Sequence, residues 1–403
     1  EAPFRIWNWT GKNFNLEKGY NWAGFINSIY AADLDGDSWK EIITGGQIIN
    51  KTGSYPSLRI WRWDGVKLDL KASYEGVNVN SIFAEDIDNE RGLEILTAGE
   101  VYTDNKSYAQ LCIWQWQKNI LDLEGSVKWC KDTDASANSV YASDLNHDGE
   151  LEIITGGYDH GLTNSSEQIR IWNWNGEQFW MEINEEWRIV ENGYGLNIAG
   201  KPMGNTLVNK LEVGDIDGDR DAEIVTGGFT YDGERVNAEI RIWSRNQDNL
   251  ILENSRHWIS EDITEVKSLS LGDVNGDGRI DIITSGMTAP YGSFSEGEDS
   301  AEKAQLRMWQ WNGEKLTLKQ KKDWLVGEGV CAWNVATGDV DKDGTVEVLT
   351  VGCMHISGLC DPDLRIWSVP EEPDFMPYFL LALGIATILV ITFLFIRRVQ
   401  GRD

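Results

Sequence analysis

Histidine and cysteine are scarce in this chain, and their scarcity limits the chemistry that it can perform. The 403 residues include four histidines (His147, His160, His257 and His355) and five cysteines. None of them lies in a nucleophile elbow or in a zinc-binding spacing such as CxxC. We therefore predict that the protein is not an enzyme, and the alternative is a propeller enzyme that acts on polysaccharide.

Positive charge is also under-represented. The chain has 36 lysines and arginines against 65 aspartates and glutamates, which gives a formal net charge of −29. Nucleic-acid binding needs basic surface to neutralise phosphates, so nucleic acid is excluded as a partner. The acidic residues are not spread evenly, because 22 of the 65 stand at four repeated positions of six short runs.

These six runs repeat one arrangement of oxygen-bearing side chains, at positions 1, 3, 5 and 9 of a nine-residue loop. We number them loops 1 to 6; they span residues 33–41, 86–94, 144–152, 215–223, 273–281 and 339–347. Ca²⁺ takes about six to eight oxygen ligands, which alternate residues of a curled loop can supply together. The predicted metal ligands are Asp33, Asp35, Asp37, Glu41; Asp86, Asp88, Glu90, Glu94; Asp144, Asn146, Asp148, Glu152; Asp215, Asp217, Asp219, Glu223; Asp273, Asn275, Asp277, Asp281; and Asp339, Asp341, Asp343, Glu347.

Acidic turns without a metal are the alternative interpretation, since Asp, Asn and Gly favour turns for backbone reasons alone. Six copies in register argue against it, and four carboxylates so close together repel one another unless a cation neutralises them. The ligand at position 9 and the strand that follows exclude an EF-hand, and Mg²⁺ demands a tighter octahedron. We predict up to six Ca²⁺ ions. Position 6, where the chain turns sharply, is Gly in loops 3, 5 and 6 and Ser38, Arg91 or Arg220 in the others.

A second repeat accounts for the twenty tryptophans. Seven copies of an Arg-Ile-Trp strand begin at Arg5, Arg59, Cys112, Arg170, Arg241, Arg307 and Arg365. A polar turn and an alternating strand follow the first six copies, which is typical of a β-hairpin. Another alternating strand precedes each acidic loop, so the repeating unit has four strands. The Arg and Trp side chains of each copy share one strand face. We predict that this face packs one unit on the next, and sugar stacking is the alternative.

Four short antiparallel strands per unit, repeated six times, predict an all-β fold, a β-propeller of six four-stranded blades. We expect the N-terminal hairpin, residues 4–18, to complete the blade that begins near Ala332, so that N- and C-terminal strands close the ring. One Arg-Ile-Trp strand is then left over. A propeller of seven blades is therefore the alternative.

The repeat resembles that of the FG-GAP family, whose best-known members are the propellers of integrin α-subunits. The likeness is greatest at residues 266–286, which read VKSLSLGDVNGDGRIDIITSG, and it extends over residues 4–368. It implies that Ca²⁺ lies between the first and second strands of each blade, with the carbonyl of loop residue 7 as a further ligand. The Phe-Gly and Gly-Ala-Pro signatures are mostly absent and the third strand is unusually rich in Trp, so integrin-like ligand binding does not transfer automatically.

The C-terminal segment predicts attachment to a membrane. Residues 375–396 carry no charge and are long enough, at about 1.5 Å per residue, to cross a bilayer as a helix. Residues 370–374 form an acidic, proline-containing linker, and residues 397–403 form a basic tail that we expect to be cytoplasmic. Residues 1–369 would then form the ectodomain, in line with an N-terminus lacking Met. A sorting signal cut after export is the alternative for the C-terminus. Outside the cell, Cys353 and Cys360 are the most plausible disulfide pair.

The connections at the blade ends opposite the acidic loops carry several aromatic residues. Exposed aromatics on loops over a rigid scaffold are common binding residues. The candidates are Tyr55, Tyr158, His160, Tyr194, Tyr231, Tyr291 and Phe294. We therefore predict a calcium-stabilised, membrane-anchored module that binds an extracellular protein or glycan. The alternative is a structural coat or assembly subunit.

Overall fold

The regular secondary structure of the described chain is entirely β-strand. The computed structural model describes residues 2–10, 13–51, 53–90, 92–160, 165–187, 195–196, 202–203, 206–231, 234–290, 302–325, 328–356 and 359–369. Antiparallel pairing dominates every sheet. The prediction of an all-β chain is thus confirmed.

The strands repeat as six units, each of which starts with a hairpin around one acidic loop. An N-terminal hairpin of β1 (Ala2–Trp9) and β2 (Phe14–Trp22) precedes them. Unit 1 comprises β3 (Gly24–Ala32), β4 (Glu41–Asn50), β5 (Gly53–Trp63) and β6 (Leu68–Glu75), and unit 2 comprises β7 (Ser81–Glu85), β8 (Glu94–Thr103), β9 (Lys106–Gln117) and β10 (Ile120–Trp129). Unit 3 comprises β11 (Asp134–Ser143), β12 (Glu152–His160), β13 (Ser165–Trp174) and β14 (Phe179–Trp187), and a small hairpin of β15 (Gly195–Leu196) and β16 (Pro202–Met203) follows.

The second half of the chain repeats the pattern. Unit 4 comprises β17 (Thr206–Gly214), β18 (Glu223–Tyr231), β19 (Val236–Asn246) and β20 (Asn249–Trp258), and unit 5 comprises β21 (Ile263–Gly272), β22 (Asp281–Ala289), β23 (Lys303–Gln310) and β24 (Thr317–Leu325). Unit 6 has the three strands β25 (Glu328–Gly338), β26 (Glu347–Ile356) and β27 (Leu359–Trp367). In every unit the strands pair in chain order, so each unit is an antiparallel meander.

Tryptophan packing joins each unit to the next. Trp172 on the third strand of unit 3 lies 5.0 Å, centroid to centroid, from Trp129 at the end of unit 2. Arg170 lies over the same Trp129 ring, 5.0 Å from its centroid. Equivalent aromatic pairs are Trp22–Trp61, Tyr74–Trp114, Trp187–Trp243, Trp258–Trp309 and Trp324–Trp367. The prediction that the Arg-Ile-Trp face packs unit on unit is therefore confirmed.

Asparagine side chains add a polar link between the first strands of successive units. Asn138 Nδ2 donates to the Val208 carbonyl, at 2.8 Å. The same bond, to the equivalent carbonyl of the following unit, runs from Asn27 to Val79, from Asn80 to Ala137 and from Asn209 to Val266. Because one junction is repeated with little change, the units follow each other by a nearly constant step.

The N-terminal hairpin does not join unit 6 through any strand pairing seen in the described residues. Strands β1 and β2 form a two-stranded sheet of their own. The hairpin instead packs on unit 1, where Trp22 stacks on Trp61 at 5.6 Å and Phe4 lies 5.7 Å from the same ring. Trp22, at the end of β2, thus contacts unit 1 in the way that Trp129, at the end of a fourth strand, contacts the next unit. Among the described residues β27 pairs only with β26, so the expected completion of the last blade by this hairpin is not observed.

Two further predictions concern parts of the chain that lie outside the description. Residues 375–396, the predicted membrane helix, are not among the described residues, and the described ones contain no helix with the length and hydrophobicity needed to cross a bilayer. The side chains of Cys353 and Cys360 also lie outside the description. Cys112, Cys130 and Cys331 are free thiols.

Candidate metal centres

The acidic loops are tight turns built on two left-handed residues. Position 4 has a positive φ in every loop, with values of 72° at Gly36, 58° at Asn89, 62° at His147, 88° at Gly218, 70° at Gly276 and 64° at Lys342. Position 6 is also left-handed wherever it is described, including Ser38 and Arg220 at φ 72° and 84°. These two reversals curl the chain so that the side chains at positions 1, 3 and 5 converge.

The carboxylate at position 9 is the buried anchor of each loop. It is the first residue of the second strand, and in all six loops it is at most 5 % exposed. One of its oxygens accepts a hydrogen bond from the backbone N–H of position 2. The donor–acceptor distances are 3.1 Å for Leu34–Glu41, 3.0 Å for Ile87–Glu94, 2.8 Å for Leu145–Glu152, 3.0 Å for Ile216–Glu223, 3.3 Å for Val274–Asp281 and 3.0 Å for Val340–Glu347.

The side chains at positions 1, 3 and 5 are oriented by backbone N–H groups of their own loop. In loop 6 the N–H groups of Asp343 and Gly344 donate to the two oxygens of Asp339, at 3.2 and 3.1 Å. The N–H of Thr345 donates to Asp343, at 2.8 Å. The same pattern recurs in loops 1, 3 and 5, so the predicted ligands are held in place by the turn itself.

Four of the loops bring three carboxylates together, with one oxygen from each within 4.8 Å of the others. These groups are Asp33, Asp35 and Asp37; Asp86, Asp88 and Glu94; Asp215, Asp217 and Glu223; and Asp339, Asp341 and Glu347. Loops 3 and 5 have asparagine at position 3, and its amide bonds to neighbouring ligands: Asn146 Nδ2 lies 2.6 Å from Glu152 Oε1, and Asn275 Nδ2 lies 3.2 Å from Asp277 Oδ2. Each group has three members, so the fourth predicted ligand (Glu41, Glu90, Asp219 or Asp343) lies outside it in every one of these loops.

Burial and mutual repulsion perturb these acids. The pKa of Glu94, Glu223 and Asp281 is raised to about 7, first by burial and then by the neighbouring aspartates. Burial also raises the pKa of Glu41 and Glu152. A divalent cation would reverse this effect, because it stabilises the ionised form.

The donor chemistry fits a hard divalent cation. Every predicted ligand offers oxygen, which Ca²⁺ prefers, and the loops contain no nitrogen or sulfur ligand in their quartets. One ligand oxygen, Asp86 Oδ1, is buried without a hydrogen-bond partner. Buried oxygens of this kind are costly unless something pairs with them, so the quartets are chemically suited to a metal ion.

The third strand also reaches the loops, which the sequence did not reveal. The Arg62 side chain is ion-paired with Asp35, Asp37 and Glu41 of loop 1. Arg245, from unit 4, lies against loop 3, with Nη1 3.0 Å from Glu152 Oε1. The place of Arg62 in the repeat could have identified it. Arg62 stands just before Trp63 in β5, where it pairs across the sheet with Glu41, position 9 of loop 1.

Loops 3 and 4 together border a cleft of about 590 Å³. Its walls include Asp217, Asp219 and Glu223 of loop 4 and the side chain of Arg245. His147 crosses from loop 3 to loop 4, where its Nε2 lies 2.9 Å from Asp221 Oδ1. His147 therefore links two adjacent loops.

Four of the seven predicted partner-binding residues are among the described residues, and these four lie at the opposite ends of the strands. Tyr55, Tyr158, His160 and Tyr231 are all in strands and half-buried, and Tyr158 stacks on His160 at 4.1 Å. The strands run further than the sequence indicated, so hairpins replace most of the predicted loops. Tyr194, Tyr291 and Phe294 lie outside the described residues. Their role in binding stays a prediction.

One aromatic residue at this end was missed. Tyr102 is 72 % exposed at the end of β8. It follows position 9 of its loop by eight residues, as His160 and Tyr231 do in their units. Aligning the second strands would have identified it.

Comparisons with known proteins do not assign the chain to a family. No protein-family model matches it, and no curated protein is significantly similar to it. The functional argument therefore depends on the loops and the junctions.

Proposed function

We propose that this chain is a calcium-stabilised β-propeller of six units, anchored to a membrane by its C-terminal helix, which presents a binding surface to an extracellular protein or glycan. The observation that carries the proposal is the sixfold repetition of one loop geometry, with a buried position-9 carboxylate bonded to the position-2 N–H. Acidic turns of purely local origin would not need a buried carboxylate in every copy.

One exposed apolar residue in unit 1 and one in unit 6 support closure of the six units into a ring. In unit 2, Ile82 is 5 % exposed and packs beside Gly45 of unit 1. Its equivalent in unit 1, Ile29, is 53 % exposed, and the residue of unit 6 that corresponds to Gly45 is Val351, which is 48 % exposed. These two apolar positions are the ones that a junction between units 6 and 1 would bury.

Calcium would act structurally in this proposal. Loop residues 1, 3, 5 and 9 would hold the ion, which would offset the repulsion among the carboxylates and fix the hairpin between the first two strands. Extracellular calcium modules bind at about 10⁻⁴–10⁻³ M, so stability should depend on millimolar calcium.

The test is a thermal melt of the full-length chain in mild detergent, in excess EDTA and in millimolar CaCl₂, with MgCl₂ as the matched control. We expect the melting temperature to rise by several degrees in calcium and by less in magnesium, because ligand binding to the folded state alone stabilises it. Equal melting temperatures in EDTA and calcium would contradict the proposal.

A structural assembly subunit is the second candidate, and the same exposed Ile29 and Val351 support it. If the two faces meet between copies instead of within one chain, they make a head-to-tail contact, which produces rings or filaments. The cross-linking experiment in the Discussion separates the two arrangements.

A further inference from the structure

One position of the third strand faces the acidic loop of its own unit. In loop 2, Gln115 Nε2 donates to Glu94 Oε1 at 2.9 Å. In loop 5, Gln310 Nε2 donates to Asp277 Oδ2 at 2.7 Å and to Asp281 Oδ1 at 3.3 Å. Arg62 holds the same position in unit 1, directly across the sheet from Glu41. In units 1, 2 and 5 the residue at this position therefore contacts the oxygens that would hold a metal ion.

Glutamine and arginine have opposite consequences at this position. A glutamine amide is neutral and can turn its oxygen toward a cation, whereas a guanidinium is always charged and only donates. Arg62 Nε lies 3.5 Å from Glu41 Oε1 and its Nη1 lies 3.7 Å from Asp35 Oδ2, while Nη2 bonds to Asp37. The guanidinium thus contacts three of the four predicted ligands of loop 1.

Loop 3 also has an arginine, although it comes from a different unit. Arg245 belongs to β19 of unit 4, at the place where Trp63, Trp116, Trp174 and Trp311 stand in other units. Its side chain is 6 % exposed, with Nη1 3.0 Å from Glu152 Oε1 and Nη2 bonded to Glu182. Displacing so buried a cation would leave Glu182 without a positive charge beside it, so Arg245 is less easily moved than Arg62.

We infer that Arg62 and Arg245 are built-in counter-cations, which make loops 1 and 3 weak calcium sites while loops 2, 4, 5 and 6 bind first. This inference depends on the proposed calcium function and specifies it further. A fixed positive charge among the ligands repels Ca²⁺ and competes for the same oxygens. Loops 1 and 3 would then hold their shape without a metal ion, and the other four would need one.

The first measurement is isothermal titration of the full-length chain in detergent with CaCl₂. We expect about four ions to bind in the range typical of extracellular modules, with any further binding at least about tenfold weaker. Arg62→Gln introduces the residue that units 2 and 5 already carry, and it should add one site of the stronger class. Arg256→Gln, at an exposed position of β20, removes the same charge elsewhere and should leave the stoichiometry unchanged.

Thermal melts provide the second measurement. Arg62→Gln should lower the melting temperature in EDTA, because loop 1 loses its counter-cation, and should raise it relative to wild type in saturating calcium. If Arg62 had only a structural role, its substitution would lower the melting temperature both in EDTA and in saturating calcium. Arg245→Gln should show the same loss in EDTA, with a smaller recovery in calcium.

Three results would overturn the inference: six equivalent sites in the wild-type chain, an unchanged stoichiometry in Arg62→Gln, or equal destabilisation of that variant with and without calcium. The first of these would still support the proposed calcium function. Failure of the wild-type chain to bind any calcium would instead overturn the proposed function itself.

Discussion

The backbone N–H of Ile216 donates a 3.0 Å hydrogen bond to Oε2 of Glu223, the buried carboxylate that begins β18. The bond orients Glu223 and leaves its other oxygen for a ligand. It also stabilises the ionised form, yet burial and the aspartates of loop 4 raise the pKa of Glu223 to about 7. A carboxylate under such opposing influences makes the loop sensitive to both pH and metal.

Stability without calcium should fall as pH rises from about 4.5 to 7. Glu94, Glu223 and Asp281 have pKa values of about 7 in the folded protein, against ordinary values of 4.5, 4.5 and 3.8. In that window the folded state binds more protons than the unfolded state, so each pH increase reduces the free energy of unfolding. We expect a loss of about 1–3 kcal/mol in urea unfolding in EDTA between pH 5 and pH 8.

Calcium should reduce or reverse that trend, because metal binding requires the ionised carboxylates and releases protons. Glu223→Gln supplies the control: its amide does not titrate, so the pH dependence in EDTA should be smaller than in wild type. A stability in EDTA that increases toward pH 8 would contradict the assignment of raised pKa values.

Loop 4 should be stabilised by Arg220→Gly. Arg220 stands at position 6 with φ 84°, a left-handed conformation that costs a residue with a Cβ about 1–2 kcal/mol. Glycine occupies this position in loops 3, 5 and 6 and adopts the conformation without that strain. Allowing for the greater freedom of glycine in the unfolded chain, we expect a gain of about 0.5–1 kcal/mol in chemical unfolding.

The matched reverse substitution is Gly149→Arg in loop 3. Gly149 has φ 88°, and an added Cβ would meet no atom within 4 Å, so the backbone conformation is the main source of any cost. We expect a loss of similar size. Equal stabilities of Gly149→Arg and wild type would show that position 6 is not strained.

The sequence predicted the six loops and the Trp strands because each is a local pattern repeated in register. Spacing alone could identify the position-9 carboxylates, since an apolar strand sequence follows each of them directly. It could not identify Arg245, which reaches loop 3 from unit 4, because contacts between units depend on how far one sheet is turned relative to the next. The extent of the hairpin at Tyr55 was missed for a related reason: pairing with a neighbouring strand extended β4 and β5 through residues whose local pattern resembled a loop.

Ile29 of unit 1 and Val351 of unit 6 are exposed at the two ends of the row of six units, where a closed ring would bring them together. In units 1 and 4, the glycine that follows Thr44 or Thr226 in the second strand lies against the first strand of the next unit. A Cβ placed at Gly45 would lie 2.5 Å from Val79 Cβ, and one at Gly227 would lie 3.7 Å from Val266 Cβ. The residues that correspond to this pair at a junction between units 6 and 1 are Val351 and Ile26. Cβ atoms about 3.5–4.5 Å apart can form a disulfide.

We therefore predict that the double variant Ile26→Cys/Val351→Cys forms a disulfide within one chain under mild oxidation. Non-reducing electrophoresis and peptide mass spectrometry would detect it as a cross-linked monomer. Both single variants and the wild-type chain are the controls, because the native cysteines are present in all of them. Cross-linked oligomers at low protein concentration would instead favour head-to-tail assembly, since the two faces would then meet between copies. If neither product forms while both single variants remain folded, Val351 and Ile26 do not face each other, and the closed six-unit ring is wrong.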